Sequence, residues 1–449
     1  MVSSNQSHYL VAVIGAGPAG LYAARYLANQ GVHVILLNRD IKPGGLAEYG
    51  IYHDKYKMKE GLRKQFRQIM EMSQIEYMGN VTVGQASGVG LKDLQNIGFQ
   101  TVLVTVGAQG TKWLGLPGED LIGVYHAKDL VYHYNRLPPY STQDYAIGRR
   151  VALIGVGNVM LDIAHWTIRE LKVDEVIAVA RRGPAEVKFS KKEMEIVARN
   201  LDVDALDDEI ERVAPVMESV GQDVEAARDF ILSALPKALE PVSKTRFRFD
   251  FLVSPTRILG EENGNVCGLE VEDTTLVPKN GDTKARSLGT KRVLNVDTVI
   301  FCIGDRVDET FGLPVQWNEF VKNPDPSFPV DNLSYEAYDP QTGQPIQGVF
   351  VAGWSREASS GLVGVARKDG ENGAKAVLQY LQALPPLEDE EEKINQLEQL
   401  LELTRRPVVR KTHVKKLEAV EQAEAQRQGL EHYKMKTNDE MLVAIGLEE

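Results

Sequence analysis

One unit occurs twice in this sequence and limits what the chain can fold into. An apolar run, a glycine turn and an Ala/Leu-rich stretch appear at residues 9–27, YLVAVIGAGPAGLYAARYL, and again at residues 151–168, VALIGVGNVMLDIAHWTI. A short run that is apolar throughout suits a strand covered on both faces, as in a parallel sheet. A glycine turn between such a strand and a helix is the phosphate-binding corner of a dinucleotide fold. The chain has 449 residues, too many for one hydrophobic core, so two or three domains are expected. The fold class read from this is α/β, with two Rossmann-like dinucleotide-binding domains.

In the first turn, GAGPAG, each glycine has a task. Gly15 permits the tight turn, Gly17 lets the backbone approach a pyrophosphate, and Gly20 lets helix and strand pack closely. Pro18 and Ala19 begin the helix, whose free N–H groups and dipole favour phosphate. Gly31 ends that helix, and residues 32–37 form the second strand. An acidic residue is expected at the end of that strand, to bond the ribose hydroxyls. Asn38 stands there; its amide can hydrogen-bond a hydroxyl without a carboxylate's charge-assisted strength, or simply cap the strand.

The second turn, GVGNVM, keeps Gly155 and Gly157 but has Met160 at the third glycine's place. The phosphate approach survives, while helix–strand packing must be looser. The strand that follows ends in Arg181-Arg182. A guanidinium there can grip a 2′-phosphate bidentately, so the second nucleotide is expected to be NADP(H) rather than NAD(H).

The rest of the chain supplies punctuation. Strands are expected at residues 101–107, 176–180, 247–253, 267–271, 297–304 and 348–354, and a charged helical insert at about 202–239. Residues from about 387 onward are an acidic amphipathic helix pattern, read as a solvated surface helix because it is too short for a sustained coiled-coil seam. The division expected is 1–107 and 334–386 for a first, split nucleotide domain, 108–333 for a second domain inserted into it, and 387–449 for a C-terminal helical extension.

Composition narrows the function. The formal net charge is −12, which argues against general nucleic-acid binding. Cys267 and Cys302 are the two cysteines; they form no CxxC pair and cannot supply four thiolates to a cluster. Redox chemistry here would need a bound organic cofactor. Scarce cysteine suits a reducing cytoplasm, the N-terminus has no signal-peptide pattern, and no apolar run reaches the roughly 20 residues of a membrane span.

Together these motifs resemble the adrenodoxin reductase family, with its bacterial ferredoxin–NADP reductase members. The resemblance is carried by GAGPAG, PGGLAEYGI, GVGNVMLD, RRGPAEVKFSKKE and VAGWSREASSGLVGV, and it extends into the tail at RPVVRKTHVKKLEAVEQAEAQRQGLEHYKMK. It implies a glutathione/adrenodoxin reductase-like fold with the NADP domain inserted into the FAD domain. FAD is then expected on the first turn, with Gly45 and Leu46, and with Gly353, Trp354, Gly361, Leu362 and Val363 near the isoalloxazine. NADP(H) is expected on Gly155, Gly157, Asn158, Val159, Arg181, Arg182 and Glu193, and Asp162 near the flavin–nicotinamide junction. The activity implied is hydride transfer from NADPH to FAD, then electron transfer to a protein acceptor such as a ferredoxin-type iron–sulfur protein.

The sequence departs from the family at three places. Glu48 stands where the pattern has Arg, Asn38 where it has an acid, and Lys55 where it has a histidine. His53 or Lys55 could take over a proton relay, or both could be surface residues of a polar loop. For an acidic carrier, two basic clusters are candidate docking patches: Arg181, Arg182, Lys188, Lys191 and Lys192, and separately Lys244, Arg246 and Arg248. Two other readings stay open: the electron-input subunit of a larger complex, like the glutamate synthase small subunit, and a flavin- or NADPH-binding sensor without turnover.

Overall fold

The structure is a computed structural model and describes residues 9–85, 88–358 and 363–448. The chain divides into two compact units. The first comprises residues 1–111, 132–142 and 305–449, and the second residues 112–131 and 143–304. The second unit thus closes at 304, not 333, and residues 132–142 return to the first.

The first unit holds a six-stranded sheet in the order Glu336–Asp339, Gln344–Val351, Thr101–Val104, Leu10–Ile14, His33–Asn38, Ile75–Gly79. Its neighbours are parallel except for the Glu336–Asp339 and Gln344–Val351 pair. The chain runs from Leu10–Ile14 outward to one edge, then returns to Thr101–Val104 on the other side. The switch in strand order therefore lies between these two strands, where ligands of such sheets bind at the carboxyl ends. Leu10 to Val13 are fully buried and Ile14 nearly so, as an unbroken apolar run predicts.

Helix Pro18–Asn29 covers one face, and helix Val363–Gln382 packs on it. Their contact is close because Gly370 carries no side chain: a Cβ there would stand 2.2 Å from the Ala19 carbonyl oxygen. The C-terminal residues form three helices, Glu390–Leu403, Lys411–Gln428 and Asn438–Ile445. They are not merely solvated. Leu397 and Leu401 join the core on one side of the sheet, and Leu417, Met441 and Leu442 the core on the other.

The second unit has a five-stranded parallel sheet ordered Val124–His126, Thr298–Phe301, Arg150–Ile154, Glu175–Val179, Arg246–Asp250. Its switch point lies between Arg150–Ile154 and Thr298–Phe301. A separate antiparallel sheet is built from Val253–Gly260, Val266–Lys279 and Asp282–Leu294. Its long ribbon replaces the five-residue strand expected at 267–271. Helices Val203–Ser219 and Val224–Leu232 occupy the charged segment. Among the described residues, no helix is long and apolar enough to cross a membrane.

Candidate nucleotide-binding sites

The first cradle stands at the switch point of the six-stranded sheet. Gly15 has φ +104°, and a Cβ there would lie 2.6 Å from the Thr105 carbonyl oxygen, so glycine is required on both counts. Gly17 caps helix Pro18–Asn29 in extended geometry, and nothing lies within 4 Å of where its Cβ would be. The helix N-terminus therefore faces open space with unsatisfied N–H groups, which suits a pyrophosphate. Gly20 is pressed against the turn: its Cβ would meet the Gly15 oxygen at 1.9 Å.

The Gly44-Gly45 turn lies on this cradle. Gly44 N–H donates to the Ala16 carbonyl at 2.7 Å, and a Cβ on Gly45 would come within 3.0 Å of Gly17 Cα. Leu46 opens the short helix Leu46–Tyr49 and packs with Tyr49, Tyr132 and Leu137. From the other side, Gly353 sits with φ +67°, its would-be Cβ 2.6 Å from Ala19 Cβ. Its N–H donates to Asp369 Oδ2 at 2.6 Å, and Asp369 also accepts from Arg356 and from the Tyr335 hydroxyl. Trp354 follows, half-buried, in the turn Gly353–Ser355. Val363 begins helix Val363–Gln382 and is half-buried; Gly361 and Leu362 lie outside the described residues.

Asn38 spends its amide on partners within the protein. Its Oδ1 accepts the Ala16 N–H at 2.9 Å, and its Nδ2 donates to the carbonyls of Asp40 and Lys42 and to the Tyr77 hydroxyl. Both ends of the amide are engaged within the protein, and the residue is buried. The ribose contact expected of it is replaced by a structural role: it ties the glycine turn to the strand end.

His53 and Lys55 lie in the loop before helix Tyr56–Met70. His53 is half-buried, stacked on Tyr52 at 4.6 Å and edge-on to Tyr134 at 5.9 Å. A plain polar surface loop is therefore the wrong description. Lys55 is half-buried at the N-cap of the helix. The next lysine on that helix, Lys59, was missed in the sequence. It is buried, with Nζ 2.5 Å from Asn135 Oδ1. Burial, and then the Lys434 charge, pull its amine down to about 6.

Glu48 is also buried. Arg63 grips its carboxylate bidentately at 2.7 Å through Nε and Nη2, and Lys434 Nζ approaches at 2.7 Å. Burial alone would raise its pKa, but Lys434 and Arg63 hold it well below the usual carboxylate range. Glu48 therefore fills an arginine's place with a carboxylate whose cations come from elsewhere in the unit.

The second cradle repeats the first. Gly155 has φ +119°, with its would-be Cβ 2.6 Å from the Cys302 carbonyl oxygen, and Gly157 faces open space at the start of helix Asn158–His165. Asn158 Oδ1 accepts the Ser190 N–H at 2.8 Å, and Lys188 N–H donates to the Val156 carbonyl. These bonds pin segment 188–190 alongside the turn. Val159 is exposed in the helix's first turn, and Met160 is fully buried behind it. Asp162 is half-buried on the same helix, and its charge adds to the burial that pushes the Cys302 thiol up. Cys302 is thus a buried, protonated thiol rather than a reactive one.

Arg181 and Arg182 follow the carboxyl end of strand Glu175–Val179. Arg181 is exposed. Arg182 is half-buried and leans toward the ribbon tip, with Nη1 3.4 Å from the Thr283 carbonyl and 3.5 Å from Asp282 Oδ1. Glu193 sits in the short helix Lys191–Met194, where its N–H donates to Ser190 Oγ. Of the two basic clusters, one discharges itself: Arg246 and Arg248 both bond Glu175, and Arg246 also bonds Asp202. Lys188, Lys191 and Lys192 are exposed. Among the described residues no group of His, Cys, Asp and Glu could hold a metal ion.

Comparison with known proteins points the same way. Residues 9–211 match the family described as pyridine nucleotide-disulphide oxidoreductase. The mitochondrial NADPH:adrenodoxin oxidoreductase of Arabidopsis thaliana is 28% identical over 389 residues, covering 79% of this chain and 78% of that protein. The NADPH-ferredoxin reductase FprA of Mycobacterium leprae is 28% identical over 409 residues, covering 83% and 84%. The chain resembles the NADPH–adrenodoxin and NADPH–ferredoxin reductases. Among solved structures, that of Mycobacterium tuberculosis FprA in complex with NADPH superposes with a TM-score of 0.80 at 24% identity, covering 97% of this chain and 99% of that one, which establishes a shared fold. The two-domain α/β architecture of these reductases is the one described above.

Proposed function

We propose that the chain is an FAD-dependent NADP(H) oxidoreductase that oxidises NADPH and passes the electrons to a protein acceptor, a ferredoxin-type iron–sulfur protein. The observation that carries this reading is the pair of cradles. Each has a glycine with open space where a Cβ would stand, at the N-terminus of a helix, at the switch point of its own parallel sheet. One protein with two such cradles is suited to two dinucleotides; the names of its relatives supply NADPH for one, and the motif resemblance supplies FAD for the other.

Gly15, Gly17, Pro18, Ala19 and Gly20 would hold the FAD pyrophosphate, with Gly45 and Leu46 closing over it. Gly353, Trp354 and Val363, with Gly361 and Leu362, would border the flavin ring. Gly155, Gly157, Asn158 and Val159 would hold the second pyrophosphate, and Arg181 and Arg182 the 2′-phosphate that selects NADPH. Glu193 would border that nucleotide. Asp162, His53 and Lys55 are the titratable side chains proposed for the chemistry: His53 and Lys55 to hold or move a proton, Asp162 to set the charge around the nicotinamide. A bound flavin supplies the conversion of a two-electron hydride donor into single-electron output, while the chain supplies binding and orientation. The scarcity of cysteine supports a cytoplasmic location.

Anaerobic mixing of the FAD-loaded protein with NADPH tests the reading. Bleaching of the flavin, followed by ferredoxin-dependent reduction of cytochrome c, is the expected result. NADPH binding without bleaching would sink it. The engaged amide of Asn38 removes one reason to prefer a sensor, because that residue has a structural task of its own.

A further inference from the structure

A cluster of buried charges lies beneath the Gly44-Gly45 turn, and the chemistry proposed above makes no use of it. Its cations are Lys42, Arg63 and Lys434, its anions Glu48 and Glu421, and all but the half-buried Arg63 are below a tenth exposed. Lys42 pairs with Glu421, and Arg63 and Lys434 with Glu48. Two of the five, Glu421 and Lys434, come from the C-terminal extension. Replacing such pairs by well-packed apolar residues is often neutral or stabilising, so stability alone is a poor account of them.

The position of Lys434 supplies a better one. Its Nζ donates to the Glu48 carboxylate at 2.7 Å, to the Glu48 carbonyl at 3.0 Å and to the Asn135 carbonyl at 3.3 Å, and it stands 4.6 Å from the Tyr49 ring centroid. It therefore closes the C-terminal end of helix Leu46–Tyr49, where carbonyls lack partners and a cation is favoured. The other end of that single turn is the Gly44-Gly45 pair, bonded to Ala16 and packed on Gly17. Lys434 is itself held in place. Its carbonyl accepts from Arg136 Nη1 at 3.0 Å, and the N–H of the next residue, Met435, donates to Glu421 Oε1 at 3.2 Å.

We infer that Lys434 is a positioning residue for the flavin: from the C-terminal segment it braces helix Leu46–Tyr49 so that Gly44-Gly45 stays pressed on the pyrophosphate turn. The inference rests on the assignment of FAD to the first cradle. The C-terminal extension is then part of the cofactor site and more than a surface appendage.

The test uses the full-length protein stripped of flavin and titrated with FAD. Lys434→Met keeps most of the side-chain volume and removes the charge and all three donors. The expected result is a dissociation constant for FAD raised at least about tenfold and an altered visible circular dichroism of the flavin at saturation, with NADPH affinity unchanged. An unchanged FAD constant, or an unchanged flavin dichroism at saturation, overturns the inference even if the melting temperature falls. Should Lys434→Met not accumulate as folded protein, Lys434→Gln, which keeps a donor for the Glu48 carbonyl, is read by the same two criteria. A wild-type protein that takes up no FAD fails earlier, and defeats the assignment of the cradle rather than the role of Lys434.

Discussion

The two glycine turns are the same device up to their fifth residue and differ at the sixth. Gly15 and Gly155 each take positive φ against a carbonyl of the strand across the switch point, Thr105 in one unit and Cys302 in the other, both 2.6 Å from the would-be Cβ. Gly17 and Gly157 both look onto open space. The sixth positions part company: Gly20 has no room for even one carbon, whereas Met160 is a full side chain buried in its core. The first two glycines therefore shape the turn and leave it open, and the third decides only how near the helix lies to the turn. The strand ends differ as well. Asn38 is turned inward and used up, while Arg181 is exposed to solvent.

The largest expected effect separates the sixth positions. Gly20→Ala puts a carbon 1.9 Å from the backbone oxygen of Gly15, and the protein should purify without visible flavin absorbance. Met160→Ala, at the matching site, should lower stability by about 2–5 kcal/mol yet leave NADPH affinity within about threefold, as checked by denaturant melts and nucleotide titration. A flavin-replete Gly20→Ala protein would break the contrast.

Arg181→Ala comes next. Loss of a charge-assisted contact worth about 1.5–3 kcal/mol should weaken NADPH binding about 10–100-fold and leave NADH binding unaltered. Arg182→Ala should cost less, because that guanidinium already leans on Thr283 and Asp282. Equal losses for NADPH and NADH would show that the pair does not read the 2′-phosphate.

Lys59 gives a pH signature confined to the first unit. Its folded amine titrates near 6, whereas an unfolded lysine holds its proton to about 10.4. Between those values the unfolded chain binds the extra proton, so stability rises with pH, from this group by up to about 1.4 kcal/mol per unit. Lys434, drawn down to about 8 mainly by burial, adds a similar slope only above that point. Unfolding measured between about pH 6.5 and 8 should therefore show the rise in the wild type and its loss in Lys59→Met. The smallest effect belongs to Asp282→Asn. Removing an exposed carboxylate 3.5 Å from Arg182 should tighten NADPH binding about two- to threefold, within the range of exposed charge pairs, and only at low salt.

Local signals were legible and long-range partners were not. Residues 9–27 and 151–168 spell out strand, turn and helix because each element's partner is its neighbour in sequence. The position of the Arg181-Arg182 pair just past strand Glu175–Val179 was readable because the second strand of such a unit ends at a fixed distance from its turn. Asn38 was misjudged because its partners, Ala16 and Tyr77, lie 22 and 39 residues away. Asp369, which holds the Gly353 amide, looks like any polar residue of a helix until the fold brings strand and helix together. Lys59 and Lys434 read as surface charge, since lysines are seldom buried; nothing local marks them. The ribbon of Val266–Lys279 and Asp282–Leu294 escaped notice because its outer strand is exposed and lacks apolar alternation.

The division of the chain also sets an order of birth. The second unit is complete once residue 304 has been made. The sheet of the first unit still lacks Gln344–Val351, the strand beside Thr101–Val104, and Lys434 comes later still. Domains fold as units during synthesis, so the later-numbered unit can mature while the earlier one waits, open, for its closing strand and its brace.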